Sequence, residues 1–230
     1  MKLFLASTGL EFRGVLKRCA RVRVERVRVE RTRVEWARSG LLQGKPVLML
    51  ANGAGAERAY AAVVAARERN PALICNIGFC GALDPLLKIG EIVVAASSNG
   101  GAALAVRSRG AHVTGPLVCT DHVVEKVREK RELHEAGFTA VDMESEGALR
   151  GARELGIPFY AVKAVSDLAS QELHCDYNRA LRDDGSIDLI NLSLQAVTRP
   201  FTCLPDLIRF GKNALLAAER MGEFLASCEF

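Results

Sequence analysis

Residues 140–167 read AVDMESEGALRGARELGIPFYAVKAVSD, and three elements of a fold are legible in them. Thr139–Val141 is short and extended. Asp142–Leu155 is helical. Gly156, with Pro158 just beyond, stops that helix, because glycine tolerates the left-handed position past a helix end and proline cannot continue the helix. Phe159–Val165 is an apolar strand that delivers Ser166 and Asp167 to its carboxyl end. Strand, helix and strand in this order predict an α/β architecture.

Working outward, the same alternation recurs along the chain. Lys2–Ser7 reads as a first strand and Glu11–Ala20 as a short helix. Pro46–Ala51 is a buried strand running into NGAG, and Glu57–Glu68 is an Ala-rich helix stopped near Pro71. Leu73–Ile77 is another buried strand, followed by a glycine turn, GFCG, at 78–81. Glu91–Ala96 and Pro116–Thr120 are strands, and Ser97–Gly115 between them is a Gly-rich loop or hairpin. Asp121 is placed to cap the charged helix DHVVEKVREKRELHEAG. Helical stretches near Ile187–Val197 and Leu204–Ala226 finish the chain. No linker or composition break divides the 230 residues, so one α/β domain with a largely parallel or mixed sheet is expected over 1–230. Ligands in such folds sit beyond the carboxyl ends of strands.

Composition narrows the classes. With 49% hydrophobic and 25% charged residues, the chain is an ordinary globular one. The apolar start before Gly9 is too short for a secretory core, no run reaches a membrane span of roughly 18 residues, and a cytoplasmic location is expected. The seven cysteines are odd in number and form no C-x-x-C pair, so buried thiols are expected and not a disulfide framework. The four histidines show no metal-site spacing.

Residues 21–35, RVRVE RVRVE RTRVE, repeat with period five. V-x-V alternation is strand-like, but an odd period flips the apolar face between units. Either the chain bulges between units or each unit belongs to a different short strand, with Arg and Glu on a solvated face. Residues 13–38 hold ten Lys/Arg against three Glu, a local +7 in a chain of net +4. A nucleic-acid surface is disfavoured, since Trp36 is the segment's lone aromatic and each unit carries a Glu that would repel phosphate.

Three segments together resemble the nucleoside phosphorylase and nucleosidase superfamily: ANGAGAERA (51–59), NIGFCGALDPLLKIGEIVV (76–94) and the opening stretch, 140–167. The order of these motifs matches across nearly the whole chain. LDP after the glycines, AVDMES, a shortened middle and the LPDLIRF ending resemble most the hopanoid-associated phosphorylases, linked to adenine removal from adenosylhopane. The resemblance implies a single-domain, three-layer α/β/α fold with a mixed central sheet, and an enzyme that cleaves a purine nucleoside at its N-glycosidic bond. It implies homo-oligomers, and no cofactor beyond inorganic phosphate as co-substrate if the reaction is phosphorolysis.

Such cleavage builds positive charge on the sugar and negative charge on the base. By resemblance, the Glu144 carboxylate would hold the ribose 2′- and 3′-hydroxyls, with Met143 packed on the sugar. Taken alone, the two would read as a first-turn glutamate and a core methionine. Asp167, oriented by Ser166, would protonate the departing purine, which needs a carboxyl with a raised pKa. Gly9 to Arg13 fits the phosphate-binding G-x-x-x-R of phosphorylases, whereas nucleosidases place a water-activating Glu in this turn, for which Glu11 is the local carboxylate. Backbone N–H groups of Gly78, Phe79, Cys80 and Gly81 would face the anion. Phe79 stands where many members have Ser, Asn76 where some carry a second phosphate Arg, and Lys163 where several nucleosidases have Arg. Val123 would line the purine, and Cys80 reads as a packed thiol. Phosphorolysis of an adenosine-type, lipid-linked nucleoside is the expected reaction. Hydrolysis through Glu11 and a non-catalytic nucleoside- or nucleic-acid-binding protein are the alternatives. The basic repeat and the apolar face Leu204, Leu207, Ile208, Leu215, Ala218, Gly222 and Leu225 also suit peripheral membrane contact.

Overall fold

A computed structural model describes residues 1–29, 32–99 and 101–230. In chain order the first half contains β1 (Lys2–Ala6), α1 (Arg13–Leu16), β2 (Cys19–Val24), β3 (Arg28–Val29), β4 (Thr32–Arg33), β5 (Trp36–Leu42), β6 (Lys45–Ala51), α2 (Ala56–Ala66) and β7 (Leu73–Ala82). β8 (Ile92–Ser98), β9 (Gly101–Ala102), β10 (Arg107–Ser108), β11 (Val113–Cys119), α3 (Val127–Glu135), β12 (Ala140–Asp142) and α4 (Ser145–Leu155) follow. The chain ends with β13 (Phe159–Asp167), α5 (Tyr177–Ala180), α6 (Leu189–Thr198), α7 (Cys203–Leu225) and β14 (Cys228–Glu229).

The main sheet runs β12-β11-β8-β13-β7-β1-β6-β5-β2 and is mixed. β6, β1, β7 and β13 are parallel neighbours and nearly all buried, as strands covered on both faces must be. β8 runs antiparallel to β13. β12 pairs with both β11 and the far end of β7, so one side of the sheet curls closed. One apolar cluster, including Leu3, Leu48, Ile74, Val63 and Leu149, lies between the sheet and α2 and α4. A second, including Phe4, Phe12, Met49, Val162 and Met221, lies between the opposite face and α1 and α7. The expected three-layer α/β/α arrangement with a mixed central sheet is therefore present.

Several expectations are corrected. The helix placed over Glu11–Ala20 is one turn, because Cys19 onward is drawn into β2 against β5. Asp121 does not cap α3: that helix starts six residues later, after Lys126, and the Asp121 carboxylate pairs with His122 at 2.8 Å. GFCG is not a turn, since β7 continues through Gly78–Gly81 with β13 beside it. The cysteines are not all free thiols. Cys175 and Cys203 form a disulfide. The Asp206 carboxylate accepts the backbone N–H of His174 at 3.0 Å and of Cys175 at 3.4 Å, which brings that segment to the start of α7.

The repeat divides among short strands. Its first unit lies mostly in β2, and β3 pairs with β4 before β5 begins; Glu30 and Arg31 lie outside the described residues. Val22 and Val24 are exposed, whereas Val27 and Val34 are buried. Residues 20–24 of β2 are exposed whichever way they point, and the buried Val27 and Val34 lie in the connections between the short strands. No helix among the described residues is long and apolar enough to cross a membrane.

The start of α4 is seated against α2 by Gly147, where an added Cβ would stand 1.7 Å from the Ala56 carbonyl oxygen. Gly147→Ala should push the two helices apart and cost about 1–3 kcal/mol of stability, as overpacking does. Urea unfolding measures this, and an unchanged midpoint would show that the contact relaxes freely.

Candidate active site

Two glycines of GFCG make room for two carboxylates. At Gly78 the backbone has φ +139°, and a Cβ would sit 2.3 Å from Glu11 Oε1. At Gly81 a Cβ would sit 3.1 Å from Asp167 Oδ2. Across the β7–β13 ladder Lys163 stands opposite Gly78 and Asp167 opposite Gly81, with a register shift that sets Ser166 apart. Strand β7 is therefore a floor on which side chains from other elements converge.

Glu11 reaches this floor from the loop after β1. Its Oε1 accepts the Phe79 N–H at 2.9 Å. Its Oε2 accepts the Thr8 N–H at 2.6 Å, the Ser7 hydroxyl at 2.8 Å and, more weakly, the Thr8 hydroxyl at 3.3 Å. These donors hold a buried carboxylate. The N–H of Phe79 is thus already engaged by Glu11, which corrects the expectation that it faces an anionic ligand.

Lys163, fully buried in mid-β13, places its ammonium 2.6 Å from Asp142 Oδ2 and 3.7 Å from Glu144 Oε2. Burial alone would lower its pKa, but Asp142, Glu144 and Glu11 raise it above the ordinary lysine value, so the ammonium is retained. Asp142 also accepts the Ser145 N–H at 3.0 Å and the Ser145 hydroxyl at 2.6 Å, and so anchors the start of α4. Glu144, next to it, accepts one long bond from the Gly55 N–H at 3.3 Å, which leaves acceptor capacity for a ligand. Burial pushes its pKa up to about 7; Lys163 opposes this, while Asp142 and Glu11 add to it.

Asp167 is held on both oxygens. Ser166 donates its hydroxyl to Oδ1 at 2.9 Å and lies 3.2 Å from the Cys80 carbonyl oxygen. Lys130, fully buried on α3, places its ammonium 2.5 Å from Oδ2. Sequence reasoning missed Lys130 because it sits in the charged run VREKREL, which looks like a solvated helix face. Asp142 lies within AVDMES, where nothing local signals that it pairs with Lys163.

The remaining expected residues are distributed unevenly. Met143 and Phe79 are half-buried, Phe79 packed against the α7-side core. Burial pushes the Cys80 thiol well up, as suits a packed cysteine. Gly9 lets the Trp36 ring approach to within 3.0 Å of where a Cβ would be, and Trp36 stacks on Phe12. Val123 has its backbone tied on both sides by the Asn178 side chain, at 2.7 and 2.9 Å. Arg13 is exposed on α1 and forms no ion pair with these groups among the described residues. The structure gathers Glu11, Glu144, Lys163 and the Asp167 pair, and leaves Arg13 outside. A cleft of about 870 Å³, lined by Lys45, Arg107, Arg109 and Tyr160, lies at the start of β6 and β13 and contains none of the cluster. No group of three or more His, Cys, Asp or Glu suited to a metal ion occurs among the described residues.

A family model described as the phosphorylase superfamily matches residues 3–103 and 101–197, and the chain belongs to that superfamily of nucleoside phosphorylases and nucleosidases. Among solved structures it is similar to S-adenosylhomocysteine nucleosidase from Streptococcus pyogenes, at 17% identity over 99% of this chain and 95% of that one, with a TM-score of 0.68. It is similar to futalosine hydrolase of Helicobacter pylori, at 13% identity over 98% and 95%, with a TM-score of 0.67. The 5′-methylthioadenosine/S-adenosylhomocysteine nucleosidase of S. pneumoniae with a transition-state inhibitor matches at 15% identity over 99% and 97%, with a TM-score of 0.67. At these identities the likeness is one of fold.

Because its pKa is raised on folding, Glu144 binds its proton more tightly in the folded protein than in the unfolded chain. Its stabilising contribution is complete below about pH 4.5 and is lost as pH rises through about 7. Glutamine does not titrate, so Glu144→Gln should gain stability relative to the parent between about pH 5 and 8. Paired urea unfolding curves test this, and a pH-independent difference would contradict the assignment.

Proposed function

We propose that the protein cleaves the N-glycosidic bond of an adenosine-type nucleoside and uses water as the acceptor, with Glu11 as its base. The observation that carries this reading is the position of Glu11, which is buried, oriented by four donors and grouped with Glu144 and Lys163 while Arg13 is exposed. A water could displace the long Thr8 hydroxyl contact and place its proton against the carboxylate. Charge points the same way. Glu11, Asp142, Glu144 and Asp167 outnumber Lys130 and Lys163, and the balance stays negative even with Glu144 protonated. A phosphate dianion is repelled by such a site, whereas water is not. The similar structures named above are nucleosidases and a hydrolase, which agrees with water as acceptor.

In this mechanism Glu144 accepts hydrogen bonds from the ribose hydroxyls and its negative field favours the cationic sugar of the transition state. Lys163 holds that carboxylate from behind. Asp167 contacts the departing base. Phosphorolysis remains the second reading, on the Gly9–Arg13 spacing and the resemblance to hopanoid-associated phosphorylases.

A lipid-bearing 5′ substituent is the favoured variation. The loop at 182–185 is tied to the Gly53–Ala54 turn through Ala54 N–H to Gly185 carbonyl at 2.8 Å. Just beyond it, α6 exposes Leu189, Ile190, Leu194 and Val197. Exposed apolar side chains near a site suit an apolar ligand tail.

The test is release of adenine and ribose 1-phosphate from adenosine, methylthioadenosine and a lipid-like 5′-substituted adenosine, with and without phosphate. Phosphate-independent adenine release is expected, reduced about 100-fold or more by Glu11→Gln and less than about threefold by Arg13→Ala. Release that requires phosphate and yields ribose 1-phosphate would instead support phosphorolysis and return Arg13 to the site.

A further inference from the structure

Lys130 is the one charged residue of α3 that is fully buried; Arg128, Arg131, Glu132 and Glu135 on the same helix are exposed. Its three ammonium hydrogens meet three acceptors: Asp167 Oδ2 at 2.5 Å, the Leu168 carbonyl at 3.0 Å and the Gln171 carbonyl at 3.0 Å. A buried ammonium is tolerated on such terms. The arrangement conflicts with a simple acid role for Asp167. A carboxylate that accepts from both Ser166 and an ammonium has no proton of its own to give, yet the departing purine must take one.

We propose that Lys130 is the proton reserve of the site, delivering through Asp167 the proton that the leaving base takes up. As the glycosidic C–N bond breaks, its electron pair stays on the base, and a base nitrogen takes a proton from the Asp167 carboxyl. An Nζ–H bond of Lys130 breaks and an Oδ2–H bond of Asp167 forms in the same transfer. The products are a neutral purine, the Asp167 carboxylate and a neutral Lys130 amine, which regains its proton from water once the base has left. Lysine suits this task because it can surrender a proton, which arginine does not do in proteins. Lys130 never touches the substrate and is a positioning residue acting through Asp167. The role rests on the base-side reading of Asp167 above.

The other titratable groups facing the pair come from β7, α5 and α7. Burial pushes up both the Cys80 thiol and the Tyr177 phenol. Glu125 and the Asp206–Arg209 pair lie beyond Tyr177. On the far side of Cys80 are Asp142 and Lys163, bound to one another. Of the ionisable groups among the described residues, the Lys130 ammonium is the one that contacts the Asp167 carboxylate directly; Glu144 contacts Lys163 instead.

The experiment uses whichever nucleoside of the panel above gives the fastest adenine release, with kcat and KM measured from about pH 5 to pH 8.5. Lys130→Met leaves Asp167 to pick up a proton directly from solvent. Its kcat should fall about tenfold or more near pH 8 and recover toward pH 5, a recovery the parent does not show. Lys130→Arg keeps the charge and the N–H donors but does not release a proton, and should lose kcat at every pH. The double variant Lys130→Met/Asp167→Asn strands no buried charge and should be no slower than Asp167→Asn alone, since the two residues act in series. Wild-type kcat in Lys130→Arg, a Lys130→Met profile parallel to the parent, or additive losses in the double variant would each overturn the proposal. Wild-type turnover in Asp167→Asn would overturn the role of Asp167 itself.

Discussion

The Lys163 ammonium, fully buried between Asp142 and Glu144, is the constraint on which the rest of the site depends. A charge this deep is costly without a partner, and taking away one member of such a pair strands the other. Its register opposite Gly78 fixes where the ammonium stands. Asp142 must then end β12 within reach of it, and the same carboxylate secures Ser145 and the beginning of α4. The position of Glu144 follows. It is one residue before a helix whose start is tied down by Asp142 and whose body is set against α2 through Gly147.

Space is the second constraint. Strand β7 is bare at Gly78 and Gly81, and the two openings are filled by Glu11 and Asp167. A strand glycine ordinarily weakens a sheet and often marks close approach of another group. Here both do. The curled edge, where β12 returns to pair with the far end of β7, brings the AVDMES segment over the same floor. Elements separated by more than 100 residues thereby share one small volume.

Two lysines divide the electrostatic work. Lys163 stands between Asp142 and Glu144, and Lys130 against Asp167. Each keeps ionised oxygen atoms in place where water is scarce, and the surplus of carboxylates leaves the site negative. In the proposed reaction, that sign suits a transition state with positive charge on the sugar. The disulfide between Cys175 and Cys203, with Asp206 beside it, fastens the segment after Asp167 to α7.

Periodicity and stop signals along the chain determined most of the alternating strands and helices and the βαβ unit at 140–167. These are local properties: alternation, capping and glycine breaks act over a few residues. The motifs also marked Glu144, Asp167, Ser166 and Lys163. Tertiary structure decided what local pattern cannot carry. GFCG looks like a turn in isolation, but pairing with β13 draws it into a strand. Lys130 is one charge among many in α3, and only the fold turns it inward to Asp167 and the Leu168 and Gln171 carbonyls. The short spacing between Glu11 and Arg13 says nothing of which one is buried; Gly78 leaves a space that the Glu11 carboxylate fills beside the Phe79 N–H, while Arg13 stays exposed. The Cys175–Cys203 pair was hidden by 28 residues of separation, since a disulfide depends on which segments meet and not on how they are spaced.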